Sequence, residues 1–239
     1  MKRIFYMILR RFYLAPVYFF RIWWYSWHLD QYDDEACYKL LRKLTIIANK
    51  SGKVTIETHG AENIPKEDGF VFFPNHQGMY DVLAFLESCP RPFRPVMKKE
   101  VCNVILVKQV RLLLRGFPMD REDIRASIKV ISEMTDAIKS GKNCLIFPEG
   151  TRSRNGNQLL EFKGGSFKCA MNAKAPIVPV ALIDSYKAFD TGSIEPLTVQ
   201  IHYLPPVFYE EYKGMKTTEV AEMVRSRIQE TIDRKKGSQ

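Results

Sequence analysis

Phe70-Val71-Phe72-Phe73-Pro74-Asn75-His76-Gln77-Gly78-Met79-Tyr80-Asp81 begins with an apolar run and breaks at a proline and a polar turn. Residues 70–73 predict a short buried strand, and the apolar periodicity after Asp81 (Val82, Leu83, Phe85, Leu86) predicts a helix. His76 is therefore expected at a strand end and Asp81 in the first turn of a helix. On one straight helix a spacing of five would set the two side chains about 140° apart. Across a turn entering the helix, the carboxylate can instead fold back onto the imidazole. An acid on one ring nitrogen fixes the tautomer and leaves the other nitrogen as a base. Such a pair has no serine of its own, so a catalytic reading requires the nucleophile to come from the substrate. On spacing alone a capping Asp and a His satisfied by nearby backbone are the favoured reading, which the two further stretches below reweigh.

The 239 residues fit one large α/β domain with an appendage. A net charge of +9 suits an anionic partner: a phosphorylated substrate, an acidic carrier protein, a membrane surface or nucleic acid. Nucleic acid is disfavoured because the aromatic residues gather in the N-terminal stretch and do not interleave along a basic groove. The five cysteines (Cys37, Cys89, Cys102, Cys144, Cys169) are scattered, odd in number and free of any CxxC. That pattern implies reduced thiols on the cytosolic side, without a disulfide framework or zinc site. His28, His59, His76 and His202 are dispersed, so no metal is expected.

Residues 1–29 differ from the rest, with all three tryptophans (Trp23, Trp24, Trp27) and five basic residues (Lys2, Arg3, Arg10, Arg11, Arg21). The longest charge-free runs, 12–20 and 22–29, fall short of the roughly 18 apolar residues of a membrane span. Nor does the stretch read as a signal peptide. Arginine beside aromatic faces suits an interfacial or re-entrant helix, which Pro16 breaks or kinks. A helix docked on its own domain or on a partner chain is the other reading. Residues 1–50 are accordingly expected to form an N-terminal helical, membrane-interface motif, and residues 51–239 an α/β domain.

Helices are predicted over 33–49, 101–114, 123–138, 165–173 and 217–233, and strands over 54–58, 70–73, 91–96, 143–147, 177–183 and 197–203. On the 123–138 helix Ile124, Ile128, Ile131, Met134 and Ile138 form one stripe. Residues 116–121 read as a short irregular segment and 234–239 as a frayed end. This alternation means an α/β fold, a mostly parallel or mixed sheet flanked by helices.

A second strand end carries Phe147-Pro148-Glu149-Gly150-Thr151-Arg152-Ser153. Close-approaching amides at Gly150 and a guanidinium able to grip a phosphate bidentately make a plausible anion cradle. Lys163-Gly164-Gly165-Ser166, ahead of a helix, offers further amides to the same anion, or is simply a helix start.

Together, Asn75-His76-Gln77-Gly78-Met79-Tyr80-Asp81 and Phe147-Pro148-Glu149-Gly150-Thr151-Arg152-Ser153 resemble the signature of the glycerolipid acyltransferases, and within them the bacterial-type 1-acylglycerol-3-phosphate acyltransferases. Gly116-Phe117-Pro118-Met119-Asp120-Arg121 and Ala175-Pro176-Ile177-Val178-Pro179-Val180-Ala181 are similar to two further blocks in the same order, and Lys98-Lys99-Glu100-Val101 to a basic stretch before the first of these. The resemblance covers roughly residues 53–205. Gly78 departs from it, standing where many members have Ser, and Pro118 and Met119 replace a usual Ile pair.

The resemblance implies that His76 is the general base on the sn-2 hydroxyl of lysophosphatidic acid and that Asp81 orients it. It implies that Arg152, with Gly150 and Thr151, holds the glycerol phosphate, and that Arg121, Lys98 and Lys99 assist. Glu149 is expected to orient Arg152 or a glycerol hydroxyl. The partners it implies are lysophosphatidic acid, an acyl-CoA or acyl carrier protein thioester as co-substrate with no cofactor, and a membrane surface with anionic lipids on the cytoplasmic side. The competing readings are an acceptor such as glycerol 3-phosphate or another lysophospholipid, a His-Asp hydrolase, and a non-enzymatic lipid-binding protein.

Overall fold

Alternation along residues 70–73 sets how the layers stack. Phe70 and Phe72 face one side, Val71 and Phe73 the other, and all four are fully buried. A strand buried on both faces needs helices on both, and the chain supplies them. The computed structural model describes residues 2–236. In chain order it has helices α1 (Lys2–Arg10), α2 (Ala15–Trp27) and α3 (Asp34–Ser51), strands β1 (Val54–His59) and β2 (Val71–Pro74), then α4 (Asp81–Ser88), β3 (Arg94–Lys98), α5 (Val107–Leu113) and β4 (Phe117–Met119). There follow α6 (Ile124–Lys139), β5 (Cys144–Leu145), α7 (Lys168–Ala173), β6 (Ile177–Ile183), β7 (Leu197–Tyr203), α8 (Tyr209–Tyr212) and α9 (Thr217–Lys236).

The strands form one mixed sheet in the order β1-β7-β6-β2-β5-β3-β4, antiparallel only between β6 and β7. Strands β2 to β6 therefore run the same way, and the loops after all five emerge on one rim. Binding sites of open α/β sheets form at such a rim, outside the carboxyl ends of the strands. On one face Phe70, Phe72, Val178 and Val180 pack with residues of α1 to α4. On the other, Val71, Phe73, Ile146 and Ala181 pack with α6, α7 and α9.

The N-terminal helices belong to this body. Met7 and Ile22 are buried in the same core as Tyr38, Leu41 and Phe72, so no separate core marks residues 1–50. Pro16 sits in the first turn of α2, where its missing N–H costs no helical bond, and the chain breaks just before it. Arg3, one of the five basic residues of this stretch, is 2% exposed and gives its guanidinium to the carbonyls of Ala188, Gly52 and Glu195. Phe5, Ile8, Leu9, Phe12, Phe20, Trp24 and Trp27 remain exposed. No described helix is long and apolar enough to cross a membrane. The five cysteines are free and buried.

Three expectations need correction, and the α6 stripe divides along its length. The segment 116–121 contains β4, an edge strand paired parallel with β3, where Pro118 is tolerated because one side of the strand is unpaired. Helix 101–114 shrinks to α5 because Val101, Val104, Ile105 and Leu106 find no core and stay exposed, with Leu106 at φ +72° interrupting the backbone. In α6, capped by Asp123 as expected, only the C-terminal part of the stripe is core: Met134 and Ile138 are buried, whereas Ile124 and Ile128 are 77% and 62% exposed. Finally, α9 keeps Arg234, Lys235 and Lys236 helical; the remainder of the expected frayed end, 237–239, lies outside the described residues.

Candidate active site

Beyond β2 the side chain of Asn75 continues the ladder in place of backbone. Its amide donates to the Leu182 carbonyl at 3.0 Å and its carbonyl accepts from the Leu182 amide at 2.7 Å. With β2 and β6 locked together there, the chain turns away at His76. Asp81 begins α4 and folds back over the turn, as an acid at a helix N-terminus favours. Its Oδ2 lies 2.7 Å from His76 Nδ1 and accepts the Gln77 amide at 2.7 Å, and the Gly78 amide sits 3.1 Å from both oxygens. Asp81 is fully buried, while the His76 side chain keeps 14% of its surface. The imidazole stacks on Phe147, centroids 4.1 Å apart. Among the described residues, nothing bonds to Nε2.

With Nδ1 facing a carboxylate it carries the proton, so Nε2 holds the open lone pair. The expected fold-back of Asp81 onto the imidazole is present, and the ring is met by a carboxylate and not by backbone.

The turn after β5 is laced to this one. The His76 amide donates to Glu149 Oε1 at 2.7 Å, and the Ser153 amide donates to the His76 carbonyl at 2.9 Å. Glu149 Oε2 accepts the Leu160 amide at 3.2 Å. Both carboxylate oxygens are thus spent on backbone, and Glu149 is 2% exposed. In this structure it braces the two turns and makes no bond to Arg152, the partner expected for it. Burial pushes its pKa up from 4.5 to about 7, against the pull of the two amides.

Gly150 takes φ +69°, and a β-carbon there would lie 2.9 Å from Lys163 Nζ, so the lysine is draped over the turn. Arg121 donates to the Gly150 carbonyl. Burial lowers the Arg121 pKa from its ordinary value, opposed by the Glu100 charge. Thr151 is exposed and Arg152 half-buried, and no described residue bonds the Arg152 guanidinium. The structure therefore brings Arg121, Gly150, Thr151 and Arg152 together beside His76. Lys98 and Lys99 stand at the end of β3 on the same rim, paired with Glu100 at 3.2 Å and with Asp120, next to Arg121, at 3.4 Å.

A groove of about 860 Å³ runs from Phe147 and Gly150 along α6. Met119, Ile124, Ile128, Ile131 and Ile146 make its apolar wall, and Arg121, Lys163 and Lys168 its basic edge. The sequence marks that isoleucine stripe only as one face of the helix, because periodicity reports a face and not what covers it. Sequence reasoning missed Ser185, fully buried after β6, whose hydroxyl donates to Asp81 Oδ1. A lone serine has no spacing signal; only its position at a strand end on the same rim could have flagged it.

The acyltransferase family profile matches residues 55–183. The 1-acyl-sn-glycerol-3-phosphate acyltransferase alpha of Mus musculus is 30% identical over 191 residues, which cover 78% of this chain and 67% of the relative. The 1-acyl-sn-glycerol-3-phosphate acyltransferase of Cocos nucifera is 29% identical over 159 residues, 65% of this chain and 51% of the relative. The chain thus spans between half and two thirds of these relatives' length. Among solved structures, the 1-acyl-sn-glycerophosphate acyltransferase of Thermotoga maritima superposes with a TM-score of 0.80 at 23% identity, covering 99% of this chain and 98% of that one. The two share a fold.

Proposed function

The chain belongs to the acyltransferase family, and from that premise we propose that it moves a fatty acyl group from a thioester to the sn-2 hydroxyl of 1-acyl-glycerol 3-phosphate, giving phosphatidic acid. The observation that carries the proposal is the His76–Asp81 pair at 2.7 Å, its Nε2 open beside the Gly150–Arg152 turn. His76 Nε2 takes the proton of the acceptor hydroxyl as that oxygen attacks the thioester carbonyl, and the thiol leaves. Asp81 offsets the charge that develops on the ring. General base catalysis supplies about 10² to 10⁴-fold, and alignment of the two substrates adds the remainder. Arg152, with Thr151 beside it, grips the phosphate as a fork; the Gly150 amide, expected to share in this, is instead taken by the Phe147 carbonyl at 3.1 Å. The donor is acyl-CoA or acyl carrier protein, and the apolar wall of the α6 groove suits an acyl chain.

Attachment to the cytoplasmic face of a membrane with anionic lipids accords with the exposed apolar residues of α1 and α2 and with the chain's positive charge. An interfacial site would leave the acceptor's own chain in lipid and avoid about 0.8 kcal/mol per exposed CH₂.

The test is an acyl-transfer assay of the purified protein in detergent. Lysophosphatidic acid, glycerol 3-phosphate and lysophosphatidylcholine are each offered with both donor types. Phosphatidic acid formed fastest from lysophosphatidic acid is the expected result. Preference for another acceptor would replace the substrate, and free fatty acid released without an acceptor would replace transfer by hydrolysis.

A further inference from the structure

Four donors surround the Asp81 carboxylate, and three of them belong to its own turn: His76 Nδ1 and the amides of Gln77 and Gly78. The fourth, the Ser185 hydroxyl, arrives from the loop after β6. The local donors gather on Oδ2, which takes His76 Nδ1 and the Gln77 amide, while Oδ1 has only a share of the Gly78 amide, equidistant from both oxygens. Among the described residues, only Ser185 bonds Oδ1 without also bonding Oδ2. Its hydroxyl also lies 3.1 Å from Gln77 Oε1, but that oxygen already accepts the Ser185 amide at 2.9 Å. The single hydroxyl proton is free for Asp81.

The loop bearing Ser185 is held from several sides. Asn157 accepts the Asp184 amide at 2.9 Å, donates to the Asp184 carboxylate at 3.0 Å and accepts from Gln77 Nε2 at 2.6 Å. Arg3 reaches in from α1 to the Ala188 carbonyl at 3.1 Å. The bare α-carbon of Gly78 lets the loop come close: a β-carbon there would stand 3.2 Å from Tyr186 Cα and 2.6 Å from Asp190 Oδ2. None of these contacts touches the proposed substrates. Their common effect is to fix one hydroxyl against one carboxylate oxygen.

We propose that Ser185 is a positioning residue for acyl transfer: by holding Oδ1 it turns Oδ2 toward Nδ1 and so keeps His76 Nε2 aimed at the acceptor hydroxyl. The proposal rests on the acyl-transfer reading above. It makes the base a three-member chain, Ser185 to Asp81 to His76, assembled from the rims of β2 and β6.

The test uses the full-length protein in detergent with the best acceptor and donor found for the wild type. Ser185→Ala is expected to lower kcat roughly tenfold or more, the loss of a hydrogen bond to a charged group, with both KM values within about twofold. On an Asp81→Asn background the same substitution should change kcat by less than about twofold, since its effect passes through that carboxylate. Ser185→Cys, a weaker donor of similar shape, should fall between Ser and Ala, and it replaces Ala in the cycle if thermal melting reports that Ala misfolds. A Ser185→Ala enzyme within about threefold of wild-type kcat would overturn the role. So would an equal loss on the Asp81→Asn background, or a change confined to KM. A wild type inert toward every acceptor would overturn the transfer reading as well, whereas an active wild type matched by Ser185→Ala would overturn the positioning role alone.

Discussion

His76 just past β2 and His202 on β7 belong to strands separated in the sheet only by β6, yet their surroundings differ in almost every respect. His76 follows β2, keeps part of its ring in the open and has a buried carboxylate behind Nδ1. His202 lies within β7, 5% exposed, with Nε2 3.0 Å from the Gln200 side chain and its ring stacked on His59 at 4.4 Å. Burial, then the His59 and Lys235 charges, push the His202 pKa down from 6.5 to about 4. Exposure is the lesser difference. A base must gain charge as the reaction proceeds, and only the ring with an acid behind it has something to offset that charge. A histidine stacked on a second histidine is instead held neutral.

The largest expected effect tests that contrast directly. His76→Ala should lower kcat at least about 10²-fold, and Asp81→Ala should remove most of the activity too, with the fold intact by circular dichroism. His202→Gln, away from the rim, should keep kcat within about threefold, since substitutions outside a site leave its chemistry alone. A His76→Ala enzyme retaining more than about a tenth of wild-type turnover would break the comparison, because a general base is worth more than that.

Next in size is the charge beside His76. Arg152→Ala should raise the acceptor KM roughly 10- to 100-fold, as expected for a lost hydrogen bond to a charged group, and leave the donor KM nearly unchanged. Arg152→Lys should recover only part, since a point charge cannot reproduce a planar fork. Equal effects on both substrates would detach Arg152 from the phosphate. They would also leave Arg121, bonded to the Gly150 carbonyl, as the better candidate.

These residues were legible in the sequence for different reasons. His76 and Asp81 could be read because strand, turn and helix start lie within one short stretch, so local rules predict the fold-back. Most elements were equally visible, since alternation and periodicity are local. Three features were not. Glu149 looked like a ligand-facing acid, because nothing local says that the amides of His76 and Leu160 will take both its oxygens. Ser185 meets Asp81 across 104 positions of chain, a contact that only the β2–β6 pairing creates. Arg3 carries a charge that composition assigns to the surface, yet three backbone carbonyls from distant segments solvate it inside. Each miss is a polar group satisfied by tertiary contact, the part of a fold that periodicity does not encode.

The smallest effects concern stability, where the two regions should respond to pH in opposite directions. At the active-site rim, Glu149 holds its proton more tightly when folded, its pKa raised from 4.5 to about 7 chiefly by burial. Its contribution is fully present below pH 4.5 and is lost as pH rises through 7. For a 2% exposed group that displacement corresponds to on the order of 3 kcal/mol. At the β1–β7 edge the sign reverses. His202 resists protonation when folded, so its contribution is present above pH 6.5 and is lost as pH falls through about 4. This second loss should be the smaller, because part of the pressure on His202 comes from His59 and Lys235, whose exposed charges salt screens. Thermal melting across pH 4 to 8 should therefore trace a dome falling on both sides of roughly pH 5 to 6.5. Glu149→Gln should flatten its alkaline limb, at a constant cost from one amide left facing the new NH₂ group. His202→Gln should flatten the acid limb, and added salt should shrink what remains of that limb in the wild type. An acid limb unchanged by His202→Gln would mean that the imidazole stack opens before it protonates, and that the β1–β7 edge is no more rigid a setting for a histidine than the rim that holds His76.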